Sequence, residues 1–315
     1  MTTTQSRHSS PKPRSGKVIS AASHGLKLTH TQAVFLMVAV TLMWSTAGVV
    51  SRHLDHARSF EVTFWRSFFT LASLLVILPF FQGSKVFRKI RHGRSALWVS
   101  GVCWSVMFTA FMVALTLTSV ANVLVTMALG PLFTALLARV FIGDRIAPRT
   151  WGAILVAGLG IASMYASQVS AGEFGGTLVA LFVPLAGAVN WTVLQRSHAH
   201  GHQVDLVPSV VVGAVISALV TLPLAMPLRA SAHDVALLAL LGLVQLAIPC
   251  ALSVLCARVL KAPEIALLAL LEIIFGILLA WIGADEVPTR AVLAGGALVI
   301  GALVVNELLG WQQRA

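Results

Sequence analysis

Charge is what this sequence has least of. Of its 315 residues, 22 are Lys or Arg and 11 are Asp or Glu, so charged residues make up 10% against 57% hydrophobic, with a mean hydropathy of +0.89. An ordinary soluble domain carries about 25% charged residues. Too little polar surface is available here to keep a globule of this size in water, which excludes the soluble classes. Cysteine is also sparse. Cys103, Cys250 and Cys256 fall inside apolar runs with no zinc-like spacing. That rules out a disulfide framework and leaves them as small apolar packing residues. Catalytic signatures are missing too: no Walker-type glycine loop, no HExxH pair and no GxSxG. The sequence therefore predicts neither an ATP motor nor an enzyme, and no metal or cofactor.

What is present is a series of long apolar runs. About ten can be counted, each near the ~20 residues that a spanning helix needs. They lie near residues 31–50, 60–81, 96–117, 119–142, 150–168, 176–195, 206–228, 234–257, 263–282 and 290–309. Unpaired backbone groups are not tolerated in hydrocarbon, so the runs are expected to be helices. They lack the period-two alternation of a barrel. The expected fold is thus an all-α integral membrane protein of ten transmembrane helices.

Residues 1–30 are polar and basic, with Arg7, Lys12, Arg14, Lys17 and Lys27, and read as a disordered cytoplasmic tail. The first apolar run is too long and begins too late for a cleaved signal peptide. Lys and Arg also set the orientation. With the N-terminus inside, the cytoplasmic side receives the tail, Lys85, Arg88, Lys89, Arg91, Arg94, Arg145, Arg149, Arg196, Arg258, Lys261 and Arg314. The outer side receives only Arg52, Arg58, Arg229 and Arg290. This bias predicts a multi-pass protein of the cytoplasmic membrane with both termini inside. It also accounts for the pI near 10.8 without nucleic acid, because the charges border helices instead of forming a basic face.

Two stretches look alike. ANVLVTMALGPLFTALLARVFIGDRI starts at Ala121, and PEIALLALLEIIFGILLAWIGADEV starts at Pro263. An offset of 142 aligns Asn122 with Glu264, Gly130 with Glu272, Thr134 with Gly276, Ala138 with Ala280 and Asp144 with Glu286. Trp44 and Trp191 also sit late in the first and sixth spans, each beside a polar residue. A repeat of five spans must re-enter the membrane upside down, which is the inverted-repeat architecture of many secondary transporters. The two halves are expected at 31–168 and 176–310.

Polar residues inside the runs are the candidate site. Placing Arg at the bilayer centre costs about 2.5–3.5 kcal/mol, so Arg66 should face protein or water. With Thr70 and Ser73 it forms a thin polar stripe that suits a substrate carboxylate or ties helices together. Glu272, near the middle of the ninth span, is a candidate proton carrier, a partner for a substrate ammonium, or a structural hydrogen-bonder. Asn122, Thr126 and Gly130 share a face of the fourth span, where Pro131 frees the carbonyl of Met127. Asn190 stands beside Trp191, and Gln245 precedes Pro249 by four residues, so that proline leaves the Gln245 carbonyl free. Trp104, Phe108 and Phe111 form an aromatic stripe suited to a pocket wall or to plain packing. The substrate-binding candidates are thus Trp44, Arg66, Trp104, Asn122, Thr126, Asn190, Trp191, Gln245 and Glu272. The histidines of RSHAHGHQVD, His198, His200 and His202, are read as a solvated loop with no metal assigned.

The motifs MWSTAGVVSRH, FEVTFWRSFF, LGPLFTALLARVFIGDRI and ALLALLEIIFGILLAWIGADEVPT, in this order and spacing, resemble the drug/metabolite transporter superfamily in its EamA-type ten-helix branch. The resemblance covers about residues 31–310. It implies two inverted five-helix halves, both termini cytoplasmic, and export of small metabolites such as amino acids and their relatives. Ile273 stands where the second half of the family commonly has a Pro after the Glu. Two other classes compete with the transporter: a lipid-linked sugar flippase or lipid-modifying protein, and a membrane-embedded interaction partner without transport. The expected partners are a small-molecule substrate and the bilayer, not nucleic acid. The sequence is compatible with a monomer or a homodimer.

Overall fold

The computed structural model describes residues 28–57, 59–82, 90, 95–141, 148–168, 174–199, 206–256, 259–260, 268–269 and 271–312. The basic tail up to Lys27, His200 and His202, Glu264 and most of the cytoplasmic-side Lys and Arg expected above lie outside them, whereas His198, expected in a loop, belongs to the last turn of a helix that runs to Ala199. All regular structure among the described residues is helical. In chain order the helices are α1 (His30–Ser51), α2 (Ser59–Gln82), α3 (Ser95–Leu117), α4 (Val120–Met127), α5 (Gly130–Phe141), α6 (Pro148–Gln168), α7 (Phe174–Ala199), α8 (Leu206–Ala225) and α9 (Ala232–Leu240). A π-helical stretch, Leu241–Ala247, runs from α9 into α10 (Ile248–Cys256), and α11 (Leu271–Ala284) and α12 (Arg290–Gln312) follow.

Seven stretches among the described residues are long and apolar enough to cross a membrane: His30–Ser51, Ser59–Pro79, Ser95–Leu117, Val120–Phe141, Pro208–Ala225, Ala232–Ser253 and Arg290–Gly310. Phe174–Asn190 and Leu271–Ala284 are apolar but shorter. Large apolar side chains such as Val76, Val140, Leu155 and Ile282 point outward, as a bundle solvated by lipid requires.

Two of the expected spans are not uniform helices. The fourth breaks at Ala128–Leu129 into α4 and α5, where Leu129 N–H retreats to the Thr126 carbonyl at 3.2 Å. Pro131 has no N–H to offer Met127, and its ring disfavours helix in the residue before it. The eighth widens into π geometry ahead of Pro249, with Ile248 N–H reaching back five residues to Leu243. This fits a proline that cannot donate to the Gln245 carbonyl.

The packing pairs follow a pattern. α3 packs on α7 and α8, while the α9–π–α10 rod packs on α1 and α2. α1 packs on α11, and α4 with α5 packs on α7. α6 lies along α12, α2 along α8, and α4 along α11. Glycines set the closest approaches. A Cβ on Gly276 of α11 would stand 2.3 Å from Leu124 Cδ1 of α4, and one on Gly160 of α6 would stand 2.7 Å from the Gly295 carbonyl of α12. The main core, with Met112, Leu115, Val123 and Leu124, lies where α3 and α4 meet α7, α11 and α12.

Candidate functional site

Arg66, on α2, is 2% exposed, and its guanidinium is held from one side. Nε and Nη2 both donate to Gln245 Oε1, at 3.1 and 2.8 Å. Gln245 comes from the π turn and donates its own Nε2 to the Trp44 carbonyl of α1 at 3.2 Å. Thr70 donates to the Arg66 carbonyl at 2.7 Å and lies 3.3 Å from the carbonyl of Gly242 in the π turn. Gln245 thus ties the cation of α2 to the π turn and, through the Trp44 carbonyl, to α1. Phe108 and Phe111 of α3 flank the guanidinium, each ring centroid 5.7 Å from Cζ, within cation–π range. Nη1 makes no hydrogen bond among the described residues.

Glu272 opens α11 and is close enough to Arg66 and to Cys250 for direct electrostatic interaction. It is partly exposed, whereas Arg66 and Cys250 are buried. A buried guanidinium with one edge unbonded among the described residues, two aromatic walls and a carboxyl within electrostatic reach can hold a small ligand bearing an anionic group and an apolar body.

The other sequence candidates fall elsewhere. Asn122 is buried and donates Nδ2 to Thr118 Oγ1 at 2.9 Å, just ahead of α4, while Thr126 donates to the Asn122 carbonyl at 2.7 Å. Asn190 accepts from Ser100 at 2.6 Å, and Ser100 also reaches Ser209 at 2.8 Å, linking α7, α3 and α8. Trp104 packs on Phe108 with centroids 5.6 Å apart, and its buried Nε1 has no partner among the described residues. The Trp191 side chain lies outside the described residues. Trp44 contributes its carbonyl. All three cysteines are buried and free, as packing residues should be.

Sequence reasoning missed a second polar centre, at the end of the bundle where α1 gives way to α2. Arg52 donates Nε to Glu286 Oε2 at 2.7 Å, Nη1 to the Leu115 carbonyl at 2.6 Å and Nη2 to the Thr118 carbonyl at 2.7 Å. Glu286 Oε1 accepts from Val120 N–H at 2.6 Å. Asp234 accepts from the N–H groups of Asp55, His56 and Ala57 at 2.7, 3.0 and 3.1 Å while serving the capping box of α9. Glu61 accepts from Arg229 and Ala230 N–H at 2.8 and 2.7 Å. Asp285, in the left-handed region at φ 52°, turns the chain at the end of α11, and Glu286 N–H closes back on the Ala280 carbonyl.

Residues 31–166 match the EamA-like transporter family. That family implies a membrane transporter of small molecules, and the match agrees with the drug/metabolite transporter superfamily. No curated protein matches the chain. A solved structure titled only as the crystal structure of a protein is 19% identical, covers 91% of this chain and 100% of its own, and superposes with a TM-score of 0.57. At that identity the likeness concerns the fold.

Proposed function

We propose that this transporter exports small amphipathic metabolites, amino acids or their derivatives, across the cytoplasmic membrane by alternating access between two inverted five-helix halves. The observation that carries the substrate class is the Arg66 guanidinium: buried, fastened by Gln245 on one edge, and with no hydrogen bond at Nη1 among the described residues. A substrate carboxylate would supply the missing acceptor. Phe108 and Phe111 would take the apolar part, and Glu272 would receive an ammonium or carry a proton.

The packing pairs support the inverted halves. Exchanging α1 with α7, α2 with α8, α3 with the α9–π–α10 rod, α4–α5 with α11, and α6 with α12 turns the most extensive pairings into one another, while lesser ones such as α4 on α12 and α3 on α4 have no such counterpart among the described residues. Thus α3 on α7 becomes the rod on α1, and α6 on α12 maps to itself. The Lys and Arg bias supports an outer location for the end that carries Arg52, Glu61 and Glu286.

The deciding experiment is flux through proteoliposomes against a panel of amino acids, lipophilic cations and nucleosides. Carboxylate-bearing amphiphiles should be moved and should compete with one another. Transport confined to cations would remove the carboxylate reading of Arg66.

A further inference from the structure

We infer that Arg52–Glu286, Asp234 and Glu61 form a releasable latch that holds one end of the transporter shut, and that this structure shows the latch closed. The inference rests on the transporter reading, but its geometry stands apart from the Arg66 site.

Each of these side chains reaches from one half of the chain to the other. Arg52 and Val120 belong to the first half and meet Glu286 of the second. Asp234 of the second half takes the N–H groups of the α1–α2 loop. Glu61 of the first half takes those of the α8–α9 loop. The four anchors therefore span the seam between halves, and they do so with loops and helix ends.

The corner between α3 and α4 is built as a seat for opposite charges. The end of α3 offers the carbonyls of Leu115 and, just past the helix, Thr118 to Arg52, and the first turn of α4 offers Val120 N–H to Glu286. These are the ends where a helix favours a cation and an anion respectively. Glu286 rides on the α11–α12 loop, so departure of that loop would break the pair and uncover the corner. α11 packs closely on α1 here because Gly283 leaves room for the Val49 side chain: a Cβ on Gly283 would stand 2.6 Å from Val49 Cγ2.

The closed arrangement also carries a cost. Glu61 is fully buried, yet its Oε2 has no hydrogen-bond partner among the described residues. A buried carboxylate oxygen left unpaired disfavours the state that buries it, so closure here is opposed from within. Bonds to backbone N–H groups offset that cost only while both loops keep their present shape. Such balance is what a reversible seal needs.

The test uses the full-length protein in nanodiscs, with the three buried cysteines replaced by Ala and spin labels at the exposed positions His53 and Val287. The unmodified latch should give one short distance. Glu286→Gln, Asp234→Asn and their combination should add a longer-distance population. Amide exchange at Asp55–Ala57 and at Val120 should then quicken by roughly tenfold to a hundredfold, as expected for loss of a charge-assisted hydrogen bond, with α6 and α12 unchanged. Should the double variant fail to fold, Arg52→Lys keeps the charge but cannot reach three acceptors, and must itself open the distance. Faster exchange with an unmoved distance distribution would overturn the latch and reduce these residues to loop anchors. Flux measured in parallel separates the two readings. Flux without latch movement rejects the latch alone, and latch movement with no flux for any compound supports the latch and counts against the substrate reading.

Discussion

At the residue scale, Arg66 and Glu272 make distinct demands on experiment. Lys in place of Arg66 keeps a positive charge but has no planar fork, so it cannot hold Gln245 on one edge and a carboxylate on the other. Arg66→Lys should weaken binding of a carboxylate-bearing ligand by about tenfold to a hundredfold, while the decarboxylated amine of the same compound binds both proteins alike. Isothermal titration of both ligands, with a melting curve for each protein, checks this; equal losses together with earlier melting would leave Arg66 a helix tie. Glu272→Gln keeps shape and removes titration. Proton-coupled flux should collapse with little change in melting temperature, and wild-type pH dependence in the Gln variant would end the proton-carrier role. Arg66, Gln245 and Glu272 were legible because a polar residue inside an apolar run needs a reason to be there. Arg52 was not, since charges at a membrane boundary are common and two of its three acceptors are backbone carbonyls, which leave no mark in a sequence.

At the element scale, the two irregular rods follow from prolines whose position was readable but whose outcome was not. Pro131 and Pro249 each remove one helical hydrogen bond. α4 and α5 respond by separating, and the eighth span responds by widening. The second response is what delivers Gln245 to Arg66, because π geometry shifts the facing of every residue after it. Close approach to α2 makes this possible: a Cβ on Gly242 would stand 2.6 Å from Phe69 Cβ and 2.8 Å from Thr70 N. Neither neighbour is a flexible side-chain tip, so the rod must back away. Gly242→Ala should therefore cost about 1–3 kcal/mol and lower the melting temperature. Ligand affinity should fall with it, because Gln245 would be drawn from the guanidinium. A variant that melts early yet binds normally would separate packing at Gly242 from the site. The same logic applies to Gly213 of α8, whose Cβ would stand 2.4 Å from Trp104 Cβ of α3.

At the scale of the whole molecule, orientation is the property on which the direction of transport depends. Membrane class and helical content were legible because hydropathy leaves no other solvent for this chain. The pairing of helices was not, because Leu- and Ala-rich faces resemble one another and only close glycine contacts, such as Gly276 on Leu124 and Gly160 on Gly295, single out the partner. In sequence, the proposed repeat includes a match between Asp144 and Glu286. In the structure Glu286 closes on Arg52 at one end of the bundle, and an inverted repeat would put Asp144 at the opposite end. Orientation then follows from which end meets the cytoplasm. On the proposed orientation, the Lys and Arg bias would put Lys89 and its neighbours inside and the exposed Val287 outside. Single cysteines at these two positions, on a background without native cysteine, should react differently in intact cells. An impermeant maleimide should label position 287 and leave position 89 untouched until the membrane is opened. Labelling of position 89 in sealed cells would invert the molecule. The Arg52–Glu286 seal would then face the cytoplasm, and a cell-side substrate would meet the closed end first, which is incompatible with export from this conformation.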